Sequence, residues 1–181
     1  FEEHIIASAK TICKRYKGNQ AHAEYLEQMA GKFFDLLQKY HGLGERERLL
    51  LRLAAILHDC GKFISMSAPG ECAYQIIMST EILGISHMER EMVACIVRYN
   101  TMELPNFREF DGKLGNDEYL IVMKLAAILR VCNALDRSHR QKFADMKLTI
   151  KDSNIVITTA YPDNITLEKK TLKDKQDFFE E

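Results

Sequence analysis

The segment LAAILHDCGK, residues 53–62, runs five apolar side chains straight into a histidine and an aspartate, His58 and Asp59. A neutral imidazole and a carboxylate are donors suited to zinc, manganese or iron. Five apolar neighbours predict burial, and a buried ionised carboxylate costs several kcal/mol unless it is paired, hydrogen-bonded or bound to a metal. Two explanations fit these residues: a ligand pair, or a capping and hydrogen-bonding device at a helix end. Adjacent helical residues point about 100° apart, so both side chains face one pocket only near a helix end or where helices converge. Gly61 supplies the stop. A metal needs further donors, and His22, in NQAHAEYL at the start of an amphipathic stretch, is the candidate third.

Cations suggest a second chemistry. Arg130, Arg137, Arg140 and Lys142 gather around the end of one predicted helix, with His139 and Gln141 among them, and Arg98 ends another. Arg130 and Arg137 are seven apart, which is two turns on one helical face. Guanidinium groups match phosphate oxygens bidentately, so a row of them suits a polyanion. The plainer alternative is that Arg137 and Arg140 favour a helix C-terminus and pair with Asp136 or Asp145. His87, beside Ser86, reads as a solvated first-turn residue, and Phe33 and Phe34 read as core.

The elements that must position these groups are helical for about 145 residues. Apolar side chains at spacings of three and four predict helices over 3–17, 21–40 and 45–58, separated at Gly18 and at Gly42 with Gly44. A helix from Cys72 to Leu83 stops at Gly84. Ser86 with Glu89 forms a capping box for a helix through Tyr99. Residues 100–116, with Pro105, Gly112 and Gly115, read as a long loop, and a strong helix runs from Asp117 to Ser138. The period then changes: Lys147 to Lys151 and Ile155 to Tyr161 read as a hairpin turning at Asp152, Ser153 and Asn154. Leu167, Thr171, Leu172 and Phe178 suggest a final helix.

Composition bounds the rest. The chain has 181 residues, 46% apolar and 28% charged, which is ordinary for a globular domain. Its formal net charge of −1 gives no whole-molecule field for nucleic acid, so an anion site must be local. No apolar run approaches the roughly 20 residues that span a bilayer, and no signal peptide is evident. The five cysteines, Cys13, Cys60, Cys72, Cys95 and Cys132, form no C-x-x-C and read as reduced residues of a cytoplasmic protein. A start at Phe1 and an end at Glu181 without a stop signal read as a piece of a longer chain.

The order His22, then LLLRLAAILHDCGKFIS, GISHMEREMVACIVRYN and LAAILRVCNALDRSHRQ, resembles the C-terminal HD-type domain of the exopolyphosphatase and guanosine pentaphosphate phosphohydrolase family, over essentially the whole chain. The NALDRSHRQ segment is its most specific part. The resemblance implies an all-α, HD-domain-like helical bundle over residues 1–145, followed by a hairpin and helix appendage over 146–181. It also implies that actin-like N-terminal domains, absent from this sequence, bind magnesium and perform phosphoryl transfer. This part would then bind polyphosphate or a guanosine polyphosphate through Arg98, Arg130, Arg137 and Arg140, form a homodimer, and be inactive alone. No catalytic residue, cofactor, membrane or specific nucleic acid is expected here.

The family's metal pattern is a histidine, the His–Asp pair and a later aspartate. His22, His58 and Asp59 match the first three. Asn133 stands at the fourth, and Cys72 and Asn100 stand where the family often shows histidine. The amide at 133 implies a vestigial site, foremost a hydrogen-bonded polar cluster without a metal, with a weakly held divalent metal as the alternative. Asp136, three residues on, would substitute only if the helix were rotated. Two other readings stay open: a self-sufficient metal-dependent nucleotide phosphohydrolase, and a non-enzymatic module for dimerisation or regulation.

Overall fold

The computed structural model describes residues 1–110 and 114–181. The architecture follows from one helix. In α3 (Glu45–Leu57) every residue from Leu49 to Leu57 except Arg52 is buried, so it is apolar nearly all round and must sit at the centre. Around it pack α1 (Glu2–Arg15), α2 (Gln20–His41), α5 (His87–Arg98) and α6 (Asn116–Leu135). Arg52, the polar exception, clamps the outer pair, donating to Glu27 of α2 at 2.8 and 3.0 Å and to Glu2 of α1 at 2.9 Å. The central helix therefore drives its C-terminus, and with it His58, into the core. The domain is all-α, as expected, with a small C-terminal hairpin and a closing helix. No helix among the described residues is long and apolar enough to cross a membrane.

Several boundaries move for physical reasons. α4 (Pro69–Ser79) begins three residues before the expected Cys72, because Pro69 suits the first helical turn, and it ends before Leu83 as Thr80 turns to extended backbone. Cys60–Phe63 forms a 3₁₀ turn after His58, packed against α4. α6 ends at Leu135 and not at Ser138, so Arg137 lies beyond the helix and the two-turn face shared with Arg130 does not form. β1 (Lys147–Lys151) and β2 (Asn154–Thr158) pair antiparallel, Lys151 opposite Asn154. Asp152 and Ser153 both take positive φ, 49° and 61°, so the turn needs only those two residues and Asn154 joins the strand. Among the described residues of the expected loop over 100–116 there is no helix or strand before Asn116; residues 111–113, Gly112 among them, lie outside the described residues. Tyr119 of α6 fastens that segment by donating to the Pro105 carbonyl at 2.7 Å.

The capping box that opens α5 is present. Glu89 N–H donates to Ser86 Oγ at 3.1 Å, and Ser86 N–H donates to Glu89 Oε2 at 2.7 Å. Arg46 of α3 adds a bidentate pair to the same carboxylate, at 2.5 and 2.9 Å. That guanidinium, with the Ser86 N–H, holds the Glu89 carboxyl at about 2, against an ordinary 4.5. A carboxyl depressed in the fold stabilises it above pH 4.5 and ceases to do so as pH falls toward 2. Arg46 is partly exposed, so screening reduces the contribution to about 1 kcal/mol. Glu89→Gln is expected to lose that much less stability than wild type across this acid window, measured by urea unfolding on either side of it.

α7 (Thr166–Glu180) packs on α6. It is fixed by a buried ion pair: Lys142 Nζ donates to Glu168 Oε2 at 3.2 Å and to the Asn164 carbonyl at 2.7 Å. Lys142 is therefore a structural cation, not a member of an open basic row.

Candidate functional site

Three chain segments bring the expected donors together. Asn19 caps α2, its Oδ1 accepting from His22 N–H at 3.0 Å, so His22 sits in the first turn of that helix with its side chain wholly buried. His58 is the C-cap of α3, and Asp59 leaves the helix immediately after it. The ligand atoms of His22, His58 and Asp59 all lie within 4.8 Å of one another. The His–Asp pair thus lies at a helix end and faces a cluster of potential donors.

The hydrogen bonds fix which ring nitrogen is which. His58 Nδ1 meets the Ala55 carbonyl at 2.6 Å; a carbonyl only accepts, so Nδ1 carries the proton. His22 Nδ1 meets Asp136 Oδ2 at 2.5 Å, and that carboxylate also accepts from the Gln141 N–H at 2.8 Å and from Gln141 Nε2 at 3.3 Å. Both Nε2 atoms are left facing each other, 3.1 Å apart, with Asp59 Oδ1 3.3 Å from the nitrogen of His58. Burial pushes the His58 imidazole down to about 4, against the opposing pull of Asp59. Burial alone would raise the Asp59 carboxyl, but His58 and the Lys62 ammonium, 2.7 Å away, outweigh it and hold it low.

Asn133 is half-buried on α6 and its side chain makes no hydrogen bond to these residues among those described. The carboxylate that serves the cluster is Asp136. The helix does not rotate to bring it in; it stops. Asp136 has left helical geometry at φ −118°, ψ 35°, and its side chain swings onto His22. The next residues are held in unusual backbone, His139 and Gln141 at φ 55° and 50°, and His139 stacks on the His22 ring with centroids 3.8 Å apart. Such left-handed non-glycine residues cluster at functional sites. Sequence reading admitted Asp136 only on condition of a rotated helix, placed His139 and Gln141 in the basic cluster instead, and missed Lys62. A usable signal existed for the first, since VCNALD, like LAAILHD, ends an apolar run on an aspartate.

The expected arginines do not form one row. Arg98 pairs with Glu71 at 2.6 Å and lies over the Tyr74 ring at 4.8 Å. Arg130 is 8% exposed; one arm donates to the Met102 carbonyl at 2.5 Å, its face lies 4.9 Å from the Phe178 ring, and its Nε has no partner. Arg137 and Arg140 are exposed and have no carboxylate partner among the described residues. Lys175 of α7 joins them, a residue with no sequence signal: burial first, then the charges of Arg130 and Arg137, lower its ammonium. A separate cleft of about 450 Å³, lined by Ser8, Thr11, Arg15, Ser79, Thr80 and Glu81, contains none of these residues.

Fold and site define the class first: an all-α domain in which the ends of α2, α3 and α6 converge on a buried His–His–Asp cluster backed by a second aspartate. The family follows from comparison. The model of Ppx/GppA phosphatase, domain III, matches residues 6–176, nearly the full chain, and the chain belongs to that family. No curated protein matches it.

Proposed function

We propose that this domain holds polyphosphate, or a guanosine polyphosphate, for acid-anhydride hydrolysis carried out by other domains of an exopolyphosphatase-type enzyme, and that it pairs with a second copy. The observation that carries the reading is the family match, which covers one domain of a phosphatase. The cations support it: Arg130 is a buried guanidinium that feels Glu103 but makes no ion pair among the described residues, and with Arg137 and Lys175 near enough to act on each other this suits a polyanion. On this reading the His22, His58 and Asp59 cluster is a reduced HD-type site, holding a divalent metal weakly and doing no chemistry alone.

Titration calorimetry with inorganic polyphosphate checks this. Binding is expected at low salt, with log affinity falling linearly in log salt by roughly 0.7–0.9 per phosphate neutralised, as for other phosphate backbones. No anhydride bond of the polymer is expected to be cleaved, so no orthophosphate should appear. Heat-silent mixing at low salt would remove the proposal.

A second reading has one specific observation in its favour. His22, His58 and Asp59 do converge, so the domain itself would be a metal-dependent phosphohydrolase. The same titration separates the two, because phosphate release by the zinc- or manganese-treated chain belongs only to the second.

A further inference from the structure

β2 forms one edge of a two-stranded sheet and pairs with β1 alone among the described residues. β1 is the strand that packs on α2, so the bundle lies on its side and the far edge of β2 faces outward. The two-residue turn, left-handed at Asp152 and Ser153, makes Lys151 and Asn154 a hydrogen-bonded pair. Bonded and non-bonded pairs alternate along the ladder, so Thr149–Val156 is bonded while Ile150–Ile155 and Leu148–Ile157 are not. The backbone N–H and C=O groups of Ile155 and Ile157 therefore point away from β1, and no other element bonds them among the described residues. Natural edge strands are blunted by lysine, proline or a bulge. β1 carries Lys147 and Lys151, but residues 154–161 hold no charge and no proline, and the register between the strands is unbroken.

We infer that β2 pairs antiparallel with β2 of a second copy, about a two-fold axis at Val156, to make one four-stranded sheet. The inference rests on the pairing of copies proposed above and supplies its surface. The strand is its own complement. With Val156 opposite Val156 of the second copy, Ile155 falls opposite Ile157 and Ile157 opposite Ile155, so every outward N–H meets an outward C=O. A slip of one residue would set these groups against ones already bonded to β1. Side chains match as well. Ile150 and Ile155, then Ile157 and Leu148 of the second copy, form one apolar row on the half-buried face. On the outer face the two Val156 side chains, each 39% exposed, cover each other. Charge does not oppose the pairing: Lys151 and Lys147 of the second copy end one row about 14 Å apart, beyond the roughly 8–10 Å screening length of physiological salt. A two-fold contact closes on itself, and the new sheet presents only β1, the strand with the lysines, at its edges.

Sedimentation equilibrium and disulfide trapping of the chain test it. Wild type is expected to dimerise as concentration rises. Val156→Lys sets two ammonium groups against each other on the axis and is expected to weaken the dimer about tenfold or more. Val156→Thr, branched and uncharged, is expected to leave it unchanged. Position 156 is a non-bonded pair across the axis, with Cα atoms about 4.5 Å apart, within reach of a disulfide. Under oxidised glutathione, which takes two electrons and two protons and leaves as two thiols, Val156→Cys is expected to link into a covalent dimer well above the wild-type background. Thr158→Cys is expected to stay at that background alone and to link when mixed with Asn154→Cys, its opposite residue. Rapid linking of Thr158→Cys alone would overturn the register. A wild-type dimer unmoved by Val156→Lys, with no faster linking of Val156→Cys, would overturn β2 as the surface and leave the pairing of copies standing. A chain that stays monomeric and unlinked at every concentration would overturn both. Polyphosphate titration reads the rest of the proposed function separately.

Discussion

Gly61→Ala is expected to lower the stability of the domain by about 3 kcal/mol or more, because the new methyl has nowhere to go. A Cβ on Gly61 would stand 1.9 Å from the Pro69 carbonyl oxygen and 2.6 Å from Ala73 N. Both obstacles are backbone of α4's first turns, so no side chain can rotate away. Gly61 is itself pinned, since its carbonyl accepts from the N–H groups of Ile64 and Ser65 at 3.0 Å each. Relief therefore requires the 3₁₀ turn and α4 to separate. For a chain of this size the loss corresponds to a fall in Tm of about 6–12 °C. Gly42 is the internal comparison: it ends α2 at φ +67° with open space around it, so alanine there meets only backbone strain of about 1 kcal/mol. A Gly61→Ala variant melting with wild type would show that the contact between the 3₁₀ turn and α4 is looser than described.

Glu168→Ala is expected to cost about 3–5 kcal/mol, the usual consequence of stranding one partner of a buried ion pair. The Glu168 carboxylate is fully buried and accepts from Lys142 Nζ and from the Ser138 N–H at 3.3 Å. Burial works against its ionised form, yet Ser138 and Lys142 hold the carboxyl below its ordinary value. Removing it leaves the Lys142 ammonium with the Asn164 carbonyl as its remaining partner. Glu168→Gln keeps an acceptor for Lys142 and should lose roughly a third as much. The comparison is made by urea unfolding. The slope is informative too: if α7 detaches before the bundle, the alanine variant unfolds with a smaller m-value, since less surface is exposed in the main transition. Equal stability of the alanine and glutamine variants would show that the charge at 168 contributes little. On the function proposed above, detachment of α7, which carries Lys175 and Phe178, should also weaken polyphosphate binding.

Much of this was legible in residues. Apolar spacing of three and four marked the helices because burial of one face leaves that record regardless of partners. The Ser86 and Glu89 capping box and the β-branched hairpin were equally local, since cap and turn geometry are satisfied within a few residues. His58 and Asp59 were found because a polar donor at the end of an apolar run must be answered by something, and His22 because it opens the preceding amphipathic stretch. Less legible were the ends of elements. α4 and α6 shifted by about three residues, and the second shift mattered, because it moved Arg137 off the helix and freed Asp136 to turn.

What the sequence determined by itself was the set of faces: an all-α bundle, a central apolar helix delivering a histidine to its own end, and a closing hairpin and helix. The tertiary structure alone decided which charges are spoken for. Arg98 met Glu71, Lys142 met Glu168, and Asp136 met His22, each across a long stretch of chain. The physical reason is range. Propensity and periodicity act between near neighbours along the chain, whereas ion pairing depends on distances that exist only after the helices have packed.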